Sequence, residues 1–261
     1  MCGCDRRRFL GLVPLALAAA ACETVPLTGR RQLILVSEDQ ETEMGVQAYR
    51  EILRKADISR DPALNALVRR VGGRIAAVSG RPELPWEYSV VADDQQANAF
   101  ALPGGKIAVY TGILPITRDE AGLAAVIGHE VAHVTARHGG ERVSQQLAVD
   151  AGIQATMTAL GSGNPVTVKT VSALLGAGAS VGILLPWGRK QESEADHLGL
   201  IYMAKAGYDP RAARDLWVRM AEASKGQRPP EFLSTHPSEA TRIKQIEGWL
   251  PEALQHYKPA R

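Results

Sequence analysis

The stretch His129-Glu130-Val131-Ala132-His133 decides which fold and chemistry the chain can support. It lies within residues 120–146, whose pattern predicts one amphipathic helix. Residues four apart share one face of an α-helix, so His129 and His133 can bind the same zinc ion. Glu130, one position round, can act as general base on a water that the metal activates. The pattern indicates a metallohydrolase; the alternative is that two histidines lie by chance on a solvated face.

The start of this helix is predicted from a local signal. Thr117-Arg118-Asp119-Glu120 has the pattern of a capping box, in which a threonine side chain and a glutamate three residues later satisfy the first backbone N–H groups. Apolar residues at helical spacing then give the helix a side that can face the core: Leu123, Val126, Ile127 and Val134.

A catalytic zinc uses three protein ligands and one open position, so one ligand remains to be found. Glu192 and Asp196 lie four apart on one face of a predicted helix, whereas Glu194 points away from both. We assign Glu192 as the third ligand and Asp196 as the carboxylate that accepts the spare N–H of a ligand histidine. The alternative is an exposed acidic helix end paired with Arg189 and Lys190.

Several further motifs lie along the chain, at residues 28–33, 98–105, 185–196, 206–210 and 234–238. Together with the HExxH helix they resemble the HtpX and CAAX-prenyl-protease family of zinc metallopeptidases, closest in layout to its periplasmic lipoprotein branch, the BepA and LoiP group. The resemblance implies a zincin-like domain, one zinc ion per chain and protein or peptide substrates. It also implies that Glu192 is the zinc ligand, in agreement with the spacing.

The remaining site residues are assigned by the needs of the reaction. The tetrahedral oxyanion needs a hydrogen-bond donor, and we expect His236 to supply it, assisted by Arg242. The resemblance implies that His236 can also cap the zinc as a fourth ligand in a resting state. The alternative for Arg242 is a surface cation on the last helix. His138, His197 and His256 are left out of the site, because single histidines at helix ends and tails are more often solvated.

Substrate binding is assigned to a predicted hairpin of residues 97–102 and 106–111. If its first strand lies at a sheet edge, the free backbone groups can bind an extended peptide by strand addition. The residues assigned to this role are Asn98, Ala99, Phe100 and Ala101. The alternative is a fully paired core strand.

The order of elements predicts an α+β fold in which helices dominate, with a small sheet or hairpin beside the HExxH helix. We expect a metallopeptidase domain over residues 37–250, a lipidated tether over 22–36 and a tail over 251–261. The uncharged, glycine-rich stretch 171–187 favours a buried helix or a segment covering the active site over a membrane span.

Residues 1–21 have the pattern of a bacterial export signal, with a twin-arginine-like motif followed by an apolar run. The sequence before Cys22 resembles a lipobox, which predicts a lipid on Cys22 that anchors the chain to a membrane. The residue after it, Glu23, favours the outer membrane, on its periplasmic side; the alternative is plain secretion. Removing residues 1–21 takes three arginines and one aspartate, so the charge falls from +2 to 0 and no nucleic-acid partner is expected.

These patterns predict a zinc-dependent endopeptidase of the bacterial cell envelope that cleaves unfolded or misassembled envelope proteins, with the envelope assembly machinery as a possible partner. The alternative is a latent, zinc-bound, chaperone-like assembly factor with little proteolysis. Four-ligand closure is typical of structural zinc, so the mobility of His236 separates the two hypotheses.

Overall fold

The computed structural model describes residues 22–159, 185–225, 230–236 and 241–259. Helices dominate these residues and two small sheets accompany them, which confirms the predicted α+β class. The predicted export signal, and residues 171–184 of the glycine-rich stretch, lie outside the described residues. No helix in the described ranges is both long enough and apolar enough to cross a membrane.

The strands are all short and lie in the first half of the chain: β1 (Cys22–Thr24), β2 (Arg31–Leu33), β3 (Glu87–Val91), β4 (Ala99–Leu102) and β5 (Lys106–Tyr110). The helices are α1 (Glu38–Lys55), α2 (Pro62–Ala76), α3 (Leu114–Thr117), α4 (Glu120–Thr135), α5 (His138–Ala159), α6 (Leu185–Lys205), α7 (Arg211–Ala223), α8 (Phe232–Thr235) and α9 (Arg242–His256). A 3₁₀ turn at Thr111–Ile113 leads from β5 into α3.

The first two long helices begin where local signals place them. Ser37 and Gln40 form a capping box at the start of α1, with reciprocal side-chain to backbone hydrogen bonds. Asp61 accepts hydrogen bonds from the first backbone N–H groups of α2, and Pro62 occupies the first helical position.

The predicted capping box of α4 is wrong. Asp119 is the N-cap, and its side chain accepts a hydrogen bond from the Gly122 N–H at 2.8 Å. Thr117 is instead the last residue of α3, and its hydroxyl donates to the Leu114 carbonyl at 3.0 Å. Arg118 between them has a φ of 66°, so the chain turns at this point and the helical pattern cannot start at Thr117.

The single helix predicted over residues 120–146 is two helices. Arg137, between α4 and α5, has a φ of 55°, which ends the first helix and redirects the chain. Its guanidinium is held by Glu41, with Nε to Oε2 at 2.9 Å, and by Glu23, with Nη1 to Oε2 at 2.6 Å. These long-range ion pairs stabilise a conformation that helical periodicity does not reveal. The turn places His138, the first residue of α5, beside the end of α4.

The main sheet has the strand order β3-β5-β4, with β5 parallel to β3 and antiparallel to β4. The predicted hairpin is therefore confirmed, and β4 has no partner strand on its other side among the described residues. Tyr49 of α1 donates a hydrogen bond to the Ile107 carbonyl at 2.8 Å and fixes this helix against the sheet. The free edge of β4 faces α4.

Helices α4 and α6 pack against each other through glycines. A Cβ on Gly199 would lie 2.9 Å from the backbone nitrogen of His129, and a Cβ on Gly128 would lie 3.0 Å from the Gly199 carbonyl oxygen. A side chain at either position would therefore push the backbones apart. This close approach brings the carboxylates of α6 to the histidines of α4.

Residues 22–36, expected to form a tether, fold as the antiparallel β1–β2 hairpin. Val25 is buried in the main core, and Arg30 reaches Glu141 on α5 and Glu194 on α6. At the other end, α9 continues past the expected domain boundary at residue 250 to His256 and contains Pro251. Part of the expected tail is therefore helical.

Candidate metal centre

The elements converge on one buried cluster between α4 and α6. From α4 come His129, Glu130 and His133; from α6 comes Glu192; and His236 follows directly after α8. All of these side chains are buried. The residues that sequence spacing assigned to metal binding and general base catalysis are thus brought together.

Three side chains meet at distances that suit zinc ligands. His129 Nε2 lies 3.0 Å from His133 Nε2 and 3.2 Å from Glu192 Oε2. His133 Nε2 lies 3.3 Å from Glu192 Oε1. Ligand atoms of a tetrahedral zinc with bonds near 2.0 Å are about 3.3 Å apart, so the observed spacings match a zinc site.

His236 completes the cluster as a fourth donor. Its Nδ1 atom lies 3.1 Å from His129 Nε2 and 3.0 Å from Glu192 Oε2. The ring stacks on Phe232 with centroids 4.4 Å apart, and its backbone N–H donates to the Phe232 carbonyl at 2.8 Å. One ligand atom from each of His129, His133, Glu192 and His236 lies within 4.8 Å of the others, so this group could hold a metal ion.

The chemistry of these donors fits zinc. Imidazole nitrogens and a carboxylate oxygen are ligands that zinc binds in catalytic sites. The Nε2 atoms of His129 and His133 face each other at 3.0 Å, and two neutral lone pairs repel at this distance unless a cation or a proton lies between them. A metal ion therefore explains the convergence of the two rings.

Burial and neighbouring charges set the protonation of the cluster. Burial lowers the pKa of His133 well below its usual value. Burial also opposes the charged form of His129, but hydrogen bonds with Asp196 and Glu192 raise its pKa to about 9. Burial disfavours the carboxylate of Glu192, yet its contacts with His133 and His129 hold its pKa far below the usual range. The cluster thus contains an ionised carboxylate that favours a cation.

Glu130 lies beside the ligand atoms without being one of them. Its side chain is 1% exposed, and its Oε1 atom accepts no hydrogen bond from the residues that the structure describes. The Nε2 atom of His236 lies 3.3 Å from this oxygen. A buried carboxylate oxygen without a donor, next to a metal cluster, is suited to accept a proton from water.

Asp196 and Arg242 lie behind His129. Asp196 Oδ1 is 2.9 Å from His129 Nδ1, the geometry expected of a carboxylate that orients a ligand histidine. Arg242 donates to the same carboxylate, with Nη2 to Oδ1 at 2.7 Å, and its guanidinium lies 3.4 Å from the ring centroid of Trp217. Arg242 is 3% exposed, so the alternative of a surface cation is wrong.

His138, which sequence reasoning left out, is completely buried beside the site. Its Nδ1 lies 2.8 Å from His133 Nδ1 and its Nε2 lies 3.0 Å from Glu194 Oε2. The Gly139-Gly140 pair after it was a usable signal, because paired glycines weaken a helical pattern and mark a close approach; a Cβ on Gly140 would lie 2.5 Å from Glu41 Oε2. His197 and His256 lie away from the cluster as expected; His197 pairs with Glu252 at 2.7 Å and stacks on Trp249.

A cleft of about 360 Å³ runs between β4 and the metal cluster. Of the predicted substrate residues, Asn98, Phe100 and Ala101 line the cleft, whereas Ala99 is fully buried in the sheet. Leu102 and Pro103 continue this wall, and Glu130, His133 and His236 line the other side of the cleft. The free edge of β4 therefore faces the ligand residues across a space that can admit a chain segment.

Comparison with known proteins gives the family. The model of Peptidase family M48 matches residues 62–250. The chain is 42% identical over 236 residues to the mitochondrial metalloendopeptidase OMA1 of Schizosaccharomyces pombe, covering 88% of this chain and 67% of that protein. It is 32% identical over 260 residues to the protein of the same name from Saccharomyces cerevisiae, covering 90% and 71%. It is 30% identical over 255 residues to the beta-barrel assembly-enhancing protease of Yersinia pestis, covering 94% of this chain and 50% of the relative.

These relatives correct the expected location. The mitochondrial OMA1 proteins of two yeasts match more strongly than the beta-barrel assembly-enhancing proteases do. The expectation of a lipid-anchored protein on the periplasmic side of a bacterial outer membrane is therefore wrong by this comparison. A lipid on Cys22 stays a prediction that these comparisons do not test.

The family model covers most of the chain, and the yeast relatives support it over nearly the whole length. The zinc-peptidase resemblance read from the motifs is confirmed at this level. The chain belongs to peptidase family M48 and is a zinc metalloendopeptidase.

Proposed function

We propose that this chain cleaves peptide bonds within unfolded or misassembled proteins, using one zinc ion held by His129, His133 and Glu192. The observation that carries the proposal is the convergence of three ligand atoms from α4 and α6 at 3.0 to 3.3 Å, with Glu130 buried beside them. A ligand set of this type, with a neighbouring carboxylate, is the arrangement of a catalytic zinc site.

Zinc in this site would supply Lewis acidity, which polarises a peptide carbonyl and makes water a better nucleophile at neutral pH. Glu130 takes the proton of the attacking water on its Oε1 atom and then passes it to the leaving amine. Asp196 accepts the Nδ1–H of His129 and so fixes the tautomer that leaves Nε2 free for the metal. Arg242 holds Asp196 in this position.

The peptide binds along the free edge of β4. The Tyr110 N–H donates to the Asn98 carbonyl at 3.0 Å, so Asn98 and alternate residues after it turn their backbone groups towards β5. Ala101 therefore turns its N–H and carbonyl towards the cleft, where an extended segment can add as a further strand. Binding through the backbone accommodates many side chains, which suits unfolded protein substrates.

His236 closes the site in the conformation described here. With its Nδ1 among the ligand atoms, the metal would have four protein ligands and no open position. We therefore assign His236 as a removable cap, whereas the oxyanion-donor role expected from the sequence is the competing assignment. His236 follows α8 and is part of neither α4 nor α6, so its departure from the metal would leave the other three ligands in place.

The same closure favours a second function, that of a latent zinc protein that assists protein assembly with little proteolysis. Four-ligand closure is typical of structural zinc. A partner in protein assembly is further supported by the name of the bacterial relatives, beta-barrel assembly-enhancing protease. The two functions differ in whether His236 leaves the metal when an unfolded chain is present.

Metal removal tests the proposed function. Purified protein is stripped with a chelator, dialysed, and titrated with Zn²⁺ while degradation of a permanently unfolded, alkylated reporter is followed. We expect no cleavage by the stripped protein and full recovery at one zinc per chain. Cleavage that persists without metal would contradict the proposal, and zinc binding without any cleavage would favour the latent function.

A further inference from the structure

His133 has a partner on the ring nitrogen that does not face the metal cluster. Its Nε2 atom lies 3.3 Å from Glu192 Oε1, and its Nδ1 atom lies 2.8 Å from His138 Nδ1. The opposite nitrogen of His138, Nε2, lies 3.0 Å from Glu194 Oε2. Two imidazoles and one carboxylate thus form a continuous buried chain that ends on a metal ligand.

The proton positions along this chain follow from the metal site. When His133 Nε2 binds the ion, the proton of its neutral ring must be on Nδ1, which can then donate to His138 Nδ1. His138 consequently carries its own proton on Nε2, and this N–H donates a hydrogen bond to the carboxylate of Glu194. Every donor in the chain meets one acceptor, so a single tautomer of each ring is selected.

Glu194 is itself held in place from the β1–β2 hairpin. Arg30 Nε donates to Glu194 Oε2 at 2.7 Å, and Thr28 donates to Glu194 Oε1 through its hydroxyl. The other side of the Arg30 guanidinium makes two hydrogen bonds of 2.8 Å to Glu141, which is completely buried. The Glu194 carboxylate, which accepts the hydrogen bond from His138, is therefore held in place by both Arg30 and Thr28.

We infer that His138 is a positioning residue that orients the zinc ligand His133, with Glu194 as the carboxylate behind it. The inference rests on the proposed zinc site. His129 is oriented directly by Asp196, which Arg242 holds. The second ligand uses the same principle with one more imidazole between ligand and carboxylate. Helix α6 thereby supplies one ligand and both orienting carboxylates, although Glu194 faces away from the metal.

A purely structural role for the same cluster is the competing explanation, since Arg30 and Glu194 also connect the hairpin to α6. The two explanations differ in which measurement responds. A positioning role changes zinc affinity even where folding is unchanged, and an acceptor placed near His138 Nδ1 restores it. A structural role lowers the stability of the metal-free protein and leaves affinity of the folded molecules unchanged.

The test compares four variants by zinc affinity, measured in competition with a chromophoric chelator, and by urea unfolding of the metal-free protein. His138→Leu removes both contacts, whereas His138→Asn keeps an oxygen near the position of Nδ1 that can accept from His133. His197→Leu is the matched control, because His197 is on α6 and contacts Glu252 and Trp249 rather than the cluster. Glu192→Ala reports on the zinc site itself.

We expect His138→Leu to weaken zinc binding by about 10 to 100-fold, the usual effect of removing a partner that orients a ligand histidine. His138→Asn should bind zinc more tightly than His138→Leu, and His197→Leu should bind it like the unaltered protein. Unchanged affinity in His138→Leu, or equal losses in the Leu and Asn variants, would overturn the inference while the zinc site stands. If Glu192→Ala also binds zinc normally, the proposed function itself fails.

Discussion

At the scale of single residues, we propose that His236 controls access to the metal cluster. Its Nδ1 atom lies within hydrogen-bond distance of His129 Nε2 and Glu192 Oε2, and its Nε2 atom lies 3.3 Å from Glu130 Oε1. One side chain therefore contacts both a ligand pair and the general base. Water and substrate need the positions that this ring occupies.

Replacing His236 by Ala should raise the rate at which an unfolded protein is cleaved. Zinc is still held by His129, His133 and Glu192, and its fourth position opens. If His236 closes the site about 90% of the time, the cleavage rate should rise on the order of tenfold. Zinc content should stay at one per chain, and His197→Ala serves as a control. A fall in rate by about 10² to 10³ would instead support the role of oxyanion donor expected from the sequence.

Residue spacing predicts only those parts of the site that lie on one helix face. The HExxH pattern places His129 and His133 together. The four-residue spacing of Glu192 and Asp196 places one carboxylate on each side of His129, with Glu192 near Nε2 and Asp196 near Nδ1. His138 escaped this reasoning because it reaches His133 only through the turn at Arg137. That turn depends on ion pairs with residues far away in sequence.

At the scale of elements, the contact between α4 and α6 sets the distance between ligands. Gly128 and Gly199 allow the two backbones to approach, so that a Cβ on Gly199 would lie 2.9 Å from the His129 nitrogen. Because His129 immediately follows Gly128, a change in helix spacing moves a zinc ligand directly. Stability and metal binding are therefore coupled at this crossing.

Gly199→Ala should lower the free energy of unfolding by about 1 to 3 kcal/mol, the typical effect of overpacking a core, and should also weaken zinc binding. Gly248→Ala is the control, because a Cβ at Gly248 meets nothing within 4 Å and an exposed helical alanine stabilises by about 0.5 to 1 kcal/mol. Urea unfolding and zinc competition measure the two effects. Unaltered zinc affinity in Gly199→Ala would show that helix spacing does not set the ligand geometry.

Element boundaries follow from sequence where the cap is local. Ser37 with Gln40, and Asp61 with Pro62, satisfy the first N–H groups of their helices without help from distant residues. The start of α4 was misplaced because the positive φ of Arg118 separates Thr117 from the helix. Local patterns identify residues that can cap, but the path of the backbone decides which one does.

At the scale of the whole molecule, the sheet edge and the metal cluster form opposite walls of one cleft. The edge strand β4 belongs to the sheet that α1 supports, whereas the ligands belong to α4, α6 and the segment after α8. In the proposed mechanism a peptide added to β4 passes the cluster, so binding and cleavage would occur in the same cleft. The hairpin pattern predicted this strand, while its proximity to the cluster depends on how the sheet packs on α4.

Ala101→Pro tests strand addition, because proline removes the N–H that faces the cleft and leaves the hydrogen bonds to β5 in place. We expect kcat/KM for an unfolded protein to fall by about fivefold, as one backbone hydrogen bond of about 1 kcal/mol is lost. Zinc content should not change, and Ala101→Gly, which keeps the N–H, should retain most of the activity. Equal activity of the two variants would show that substrates do not pair with β4.

The most direct test of the catalytic site compares the zinc-loaded protein with its Glu130→Gln variant on the same unfolded reporter. Glutamine preserves the size of the side chain and removes the base, while His129, His133 and Glu192 continue to hold the metal. We predict one zinc per chain in both proteins and a loss of cleavage by several orders of magnitude in the variant, since general base catalysis and the activated water are lost together. Equal cleavage by the two proteins would contradict the assignment of Glu130 and, with it, the proposed mechanism.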